Sequence, residues 1–509
     1  MNTKSRSYNA VRNISFGMVK QIVTLVLAFA TKTIFVRMLG AEYTGINGLY
    51  SNILTLLSLA ELGVGNVMVY SLYAPVREHN ISAIKSLMTY FKKIYRVIAI
   101  SISGLGIAII PFLKIIINSN LPEDKLVVYY LLFLLNSVAS YFVVYKTTLL
   151  QADQKIYIQN LVNTISLIVQ YIIQIVYLLL TRNYIGFLTI QVMCTIVQNV
   201  VLSYIADRTY PYLKDKAIPQ KQIEKTSLNE NIKSMFLYKL ATIIINNTDN
   251  ILISMLLGTV YVGYYSNYYS LITYVTTFVT ILIQGITAGL GNLNAEHNEE
   301  KSYKMFCNLI YLFNFIAAFC VATFANVVQD FIPIWLGKEY LMDTGTVGAI
   351  LFTFYISTVT NPVWMYRETM GLFKQIKYVM FLTAILNIIF SIILGLKFGV
   401  AGIIGATGIA RICTIIWYEP RILYKKFAHP VCGYFRMQLK YLMINMLILI
   451  LSVAVCRKLG HNFGWILIKT MFCCVITVMV HIICMRNTDE IDWIKCKLFK
   501  ILPFKTIKR

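Results

Sequence analysis

The sequence predicts an all-α polytopic membrane protein with about fourteen transmembrane helices, and three observations carry that expectation. First, 58% of the 509 residues are hydrophobic and only 13% are charged, against about 25% charged in soluble domains. At about 20 apolar residues per crossing, this inventory fills a dozen or more spans. Second, the apolar residues run in long blocks, without the short alternating segments that a spanning β-barrel needs. Third, 46 Lys and Arg stand against 22 Asp and Glu, a net charge of +24. In a soluble chain that excess points to nucleic acid. In a membrane protein the accumulation of Lys and Arg in cytoplasmic loops accounts for it, and nucleic acid is not an expected partner.

The blocks place helices near 14–36, 45–73, 95–117, 126–150, 156–181, 185–205, 235–257, 262–290, 305–335, 346–366, 377–397, 400–418, 438–457 and 463–485. The first follows a polar start, is too long for the apolar core of a signal peptide, and has no small-residue cleavage site. Basic residues collect before span one (Lys4, Arg6, Arg12) and in alternate breaks (Arg77, Lys85, Lys92, Lys93; Arg208, Lys214, Lys221, Lys225; Arg421, Lys425, Lys426, Arg436). An even span count and this asymmetry put both termini in the cytoplasm.

The long cytoplasmic break divides the chain into an N-lobe (1–206, spans one to six), a linker (207–230) and a C-lobe (231–427, spans seven to twelve). Spans thirteen and fourteen (428–485) form an appended pair. The tail, 486–509, sets Ile491, Trp493, Ile494, Leu498 and Ile501 among lysines. That pattern suits a basic amphipathic helix on anionic membrane lipid.

The two lobes look related. An offset of 218 pairs Leu39-Gly40 with Leu257-Gly258, Tyr43 with Tyr261, Gly45 with Gly263, Tyr50 with Tyr268 and Thr55 with Thr273. Each block joins the first and second helix of its lobe. Six spans per lobe is even, so the repeats are parallel, a transporter architecture.

Chemistry-bearing residues are sparse. The ten cysteines include no CxxC pair, and most sit in apolar runs, where Cys acts as a small hydrophobe. The five histidines (His79, His297, His429, His461, His481) show no ligand spacing, so no metal is expected. Ionisable residues inside spans are costly and mark a cavity or a partner. The cations Lys20, Lys32, Arg37 and Arg411 are candidates for a positively lined cavity that accepts a pyrophosphate or an acidic sugar. The other reading is that each is interfacial or internally paired, as is favoured for Lys146 and Lys239. Asp249, within Asn246-Asn247-Thr248-Asp249-Asn250, either couples transport to Na⁺ or H⁺ or ties its helix to neighbours. Glu61, beside Gly63 and Gly65, is open to the same two readings. The tyrosines Tyr261, Tyr264, Tyr265, Tyr268 and Tyr269 fit an interfacial belt better than a sugar platform.

Three stretches resemble Wzx-type polysaccharide flippases. They are 33–69 (TIFVRMLGAEYTGINGLYSNILTLLSLAELGVGNVMV), 249–266 (DNILISMLLGTVYVGYYS) and 384–407 (AILNIIFSIILGLKFGVAGIIGAT). The resemblance covers spans one to twelve. It implies membership of the multidrug/oligosaccharidyl-lipid/polysaccharide exporter superfamily, with two six-helix lobes around a cavity that opens alternately to each side. The implied substrate is a polyprenyl-pyrophosphate-linked oligosaccharide. It is moved from the inner to the outer leaflet of a bacterial cytoplasmic membrane, with polysaccharide polymerase machinery as a partner. Two alternatives remain. A Na⁺- or H⁺-coupled multidrug exporter of the same superfamily would more typically stop at twelve spans. A membrane glycan polymerase or acyltransferase needs a sizeable outer loop or an intramembrane His or Asp cluster, and the outer loops here are short.

Overall fold

The computed structural model describes residues 6–58, 64–214, 225–295, 298–486, 488 and 490. Among them are seventeen α-helices and no strand. In order these are α1 (Arg6–Leu57), α2 (Val64–Arg77), α3 (Ile81–Ile109), α4 (Leu113–Ile116), α5 (Glu123–Tyr141), α6 (Val144–Ala152), α7 (Ile156–Thr181), α8 (Tyr184–Thr209) and α9 (Lys225–Leu257). There follow α10 (Thr259–Ala295), α11 (Glu299–Trp335), α12 (Thr344–Val359), α13 (Asn361–Thr369), α14 (Phe373–Cys413), α15 (Ile415–Lys426), α16 (Cys432–Cys456) and α17 (Phe463–Met485). Among the described residues, ten helical stretches are long and apolar enough to cross a membrane, and eleven if α5 and α6, bent by 44°, count as one. Two of the ten, Val23–Leu57 and Gln375–Lys426, contain non-helical backbone at Gly40 and Gly399 and are therefore helix pairs. The chain is an all-α polytopic membrane protein, as its composition predicts.

The breaks recur from half to half. Gly40 (φ 85°) and Gly258 (φ 112°) lie 218 positions apart and both adopt the left-handed region that suits glycine. The α5–α6 break at Phe142 and the α12–α13 break at Thr360 are again 218 apart. Left-handed Arg182 (φ 51°), which ends α7, precedes Gly399 (φ 59°) by 217. The same irregularities at the same spacing make the two halves structural repeats.

Several boundaries differ from the sequence expectation: α9 begins at Lys225, inside the expected linker 207–230, and the spans expected at 126–150 and 346–366 are each broken in two. The span placed at 95–117 begins at Ile81, so Lys85, Lys92 and Lys93 ride on a helix, not in a loop. Asn80 caps this start by accepting from the Ala83 amide at 3.0 Å. Ile84, Leu87, Met88, Phe91 and Tyr95 bury one face, while the lysines occupy another. A mixed face of this kind lowers the mean apolarity, which hides the helix from a reading based on apolar runs.

Two compact units emerge, Met1–Ser266 and Asn267–Arg509, and α10 passes from one into the other. The first has an aromatic core in which Tyr43, Tyr129, Tyr184, Phe35 and Phe187 meet edge-on or tilted, with centroids 4.8–6.2 Å apart, while Tyr184 and Phe187 stack at 6.3 Å. Buried tyrosines need partners for their hydroxyls. Tyr50 donates to the Leu126 carbonyl at 2.7 Å and Tyr130 to that of Gly106 at 3.0 Å. In the second unit, α11 packs against α12, α16 and α17.

Candidate functional site

Lys32 lies eight residues before the Gly40 break, roughly 12 Å along α1 at 1.5 Å per residue. Its ammonium donates to Ser266 Oγ at 2.9 Å, its one polar contact among the described residues. It lines a cavity of about 230 Å³ walled by α1, α5, α7 and α8. The wall is unusually polar for a membrane bundle, with Asn47, Ser51, Gln170, Gln174 and Gln191 in it. Gln174 is locked in place: its amide donates to the Phe187 carbonyl at 3.0 Å and accepts from Gln170 at 3.3 Å. A second cavity of about 370 Å³ shares Ser51, Phe133 and Gln191 with the first and adds Asn136, Ser137 and Ser140 of α5.

The other sequence candidates are scattered. Arg37 is exposed, five residues along the same helix. Arg411, on α14 in the second unit, donates to Ser357 Oγ and lies near enough to Glu419 to interact with its charge. Glu61 and the side chain of Lys20 lie outside the described residues. Of the amide-rich patch on α9, Asn246 is exposed, Asn247 and Asp249 are half-buried, and Asn250 is buried. Asn247 donates to the Ile243 carbonyl of its own helix at 2.9 Å, and Asn52 of α1 donates to the Asn247 carbonyl at 3.2 Å. The second of these bonds fastens α9 to α1. Lys146 of α6 pairs with Asp207 of α8 at 2.7 Å and donates to Ser203 at 2.8 Å. Tyr268 is buried, donating to Gln329 at 3.1 Å and accepting the Met342 amide at 3.0 Å, while Tyr261 and Tyr269 are exposed.

Sequence reading missed three features. The amides of the Lys32 cavity carried a signal, since Gln170 and Gln174 stand at i, i+4 inside an otherwise apolar run. Arg367 of α13 and Glu419 of α15 form a buried ion pair at 2.6 Å. Lys469 of α17 pairs with Asp330 of α11 at 2.5 Å, and His461 reaches the other oxygen of Asp330 at 2.6 Å. The intramembrane histidine, His481, is buried between Tyr311 and Phe315 in a packing role.

The second unit holds an apolar hollow of about 610 Å³ between α11, α12, α15 and α16. Phe352, Ile356, Ile416, Trp417, Phe435 and Leu442 are among its walls.

Helix breaks recurring from half to half, with polar cavities inside a membrane bundle, suit a transporter. The model of the polysaccharide biosynthesis protein family matches residues 10–286, more than half of the chain, and the chain belongs to that family. Among curated proteins no sequence match was found. The fold is similar to that of lipid II flippase MurJ in an inward closed conformation, with TM-score 0.64 and 14% identity over 93% of this chain and 99% of that one. It is also similar to an inward-facing multidrug resistance MATE transporter of the MOP superfamily, with TM-score 0.61 and 14% identity over 82% and 99%. A MOP superfamily transporter from Pyrococcus furiosus, described as having a binding pocket of reverse polarity, aligns with TM-score 0.54 and 12% identity over 83% and 97%. The family is thus that of polysaccharide biosynthesis proteins, and the fold is one shared with a lipid II flippase and a multidrug transporter.

Proposed function

We propose that this protein moves a polyprenyl-pyrophosphate-linked oligosaccharide from the inner to the outer leaflet of a bacterial cytoplasmic membrane, supplying surface polysaccharide synthesis. The observation that carries this reading is the Lys32 cavity, a cation and several amides inside a membrane-spanning bundle. Intramembrane charge is expensive and marks the path of a polar cargo. The apolar hollow in the second unit, taken by itself, has aliphatic and aromatic walls that suit a polyprenyl chain. Both termini are cytoplasmic in this reading, and a polysaccharide polymerase takes over the delivered unit.

The amide-rich patch around Asp249 favours fastening over ion coupling, because Asn247 is engaged by Asn52 and by its own helix. Membrane potential is then the driving force. A pyrophosphate carries about two negative charges, and outward movement of two charges across 100 mV gains on the order of 4–5 kcal/mol. The test is depletion of the protein in its host. Lipid-linked glycan should accumulate on the inner face and surface polysaccharide should fall. Unchanged surface polysaccharide with no accumulated intermediate contradicts the reading.

A further inference from the structure

We propose that the Lys32 cavity seats one carboxylate-bearing sugar ring of the transported glycan, not its pyrophosphate; this rests on the flippase reading. The charge count points there. Among the described residues Lys32 is the single charged side chain in the cavity wall, and its partner Ser266 is neutral. An ammonium out of water without a counter-charge is costly, so the site is incomplete until an anion enters. One ammonium matches one carboxylate. A pyrophosphate carries about twice that charge, and planar arginine forks suit it better than a lone lysine.

The remaining wall fits the rest of a sugar ring. Neutral amides both donate and accept, which is what hydroxyl groups require. Gln170 and Gln174 are held in register by their mutual bond and by the Phe187 carbonyl, so they meet a ligand already ordered. Gln191 has no hydrogen-bond partner among the described residues and lines both this cavity and its neighbour, where the next sugar would continue. Phe133, Phe187 and Tyr171 supply flat apolar faces for the ring's C–H side.

The experiment uses the full-length protein in proteoliposomes and two synthetic polyprenyl-pyrophosphate disaccharides, identical except that one ends in glucuronate and the other in glucose. The wild type should move the glucuronate lipid at least about tenfold faster, a difference of about 1.4 kcal/mol. In Lys32→Met the ratio of the two rates should fall to near one, and Lys32→Arg should keep most of it. Gln191→Leu should lower the ratio several-fold. The wild-type comparison stands even if a variant fails to fold. Equal movement of both lipids by the wild type overturns this inference and leaves the flippase reading intact. Movement of neither lipid overturns both.

Discussion

Two ion pairs show how differently a charge behaves according to what surrounds it. Arg367 and Glu419 are each nearly inaccessible, at 3% and 2% exposure, and they satisfy one another at 2.6 Å. Removing Glu419 takes away the closest partner of buried Arg367, which keeps Glu368 at 3.7 Å, and breaking such a buried pair costs about 3–5 kcal/mol. Glu419→Gln should therefore lower the thermal unfolding temperature sharply in detergent, while Arg367→Met with Glu419→Leu should recover much of the loss. Equal damage from the single and double changes would contradict a paired role. Lys146 and Asp207 are more accessible, with side chains 16% and 32% exposed. Asp207→Asn should cost correspondingly less in the same melt. At this scale the sequence was legible only in part. The charges stood out against apolar runs, but Glu419 looked like a loop residue, and the partners came from helices far apart in the chain.

The helix breaks show what a local reading finds and what it misses. Gly45 and Gly263, paired by the internal repeat, meet in the first unit. A β-carbon on Gly45 would collide with the Thr259 carbonyl, and one on Gly263 with the Ala41 carbonyl. Ala41 and Thr259 are themselves repeat partners, so the crossing of α1 and α10 is two-fold symmetric in its contacts. Backbone carbonyls cannot step aside as a flexible side chain can. Gly45→Ala should destabilise by about 1–3 kcal/mol through overpacking. Gly104→Ala, where nothing lies within 4 Å of the added carbon, should be neutral or mildly stabilising. Thermal melts of both variants check this, and similar melts would contradict the close crossing.

The α5–α6 break at Phe142 falls at neither Gly nor Pro, so tertiary packing produces it and the sequence does not announce it. Helix α12 begins at Asp343, whose carboxylate accepts from the Thr346 hydroxyl at 2.6 Å and its amide at 2.8 Å. Burial pushes this carboxyl up, but the bonds from Thr346 outweigh it and hold the group below the ordinary 3.8. A lowered folded-state pKa stabilises above the unfolded value and loses that stability as pH falls through the folded one. Asp343→Ala should cost about 1 kcal/mol at neutral pH as a lost cap. The deficit against wild type should begin to shrink as pH falls below about 4 and disappear only below the depressed folded-state value; a deficit constant with pH would contradict it.

Across the whole molecule, composition alone made the membrane class readable, because so large an apolar inventory has few other destinations. The repeat was readable too, through Gly40 and Gly258, whose left-handed backbone constrains the residue type. The cavity was not, since it exists only where α1, α5, α7 and α8 come together, and its amides sit on separate spans. Lys32 was visible as a cation at the outer end of the first span, but nothing in the sequence said that its neighbours are amides instead of carboxylates. The most direct test of the account is the rate at which a polyprenyl-pyrophosphate oligosaccharide becomes accessible to a lectin outside proteoliposomes holding an inside-negative potential. Movement well above protein-free vesicles is expected, faster as the potential rises and, for a glycan that bears a carboxylate, slowed about tenfold or more in Lys32→Met. Movement no faster than in protein-free vesicles, or indifferent to both the potential and Lys32, would contradict it.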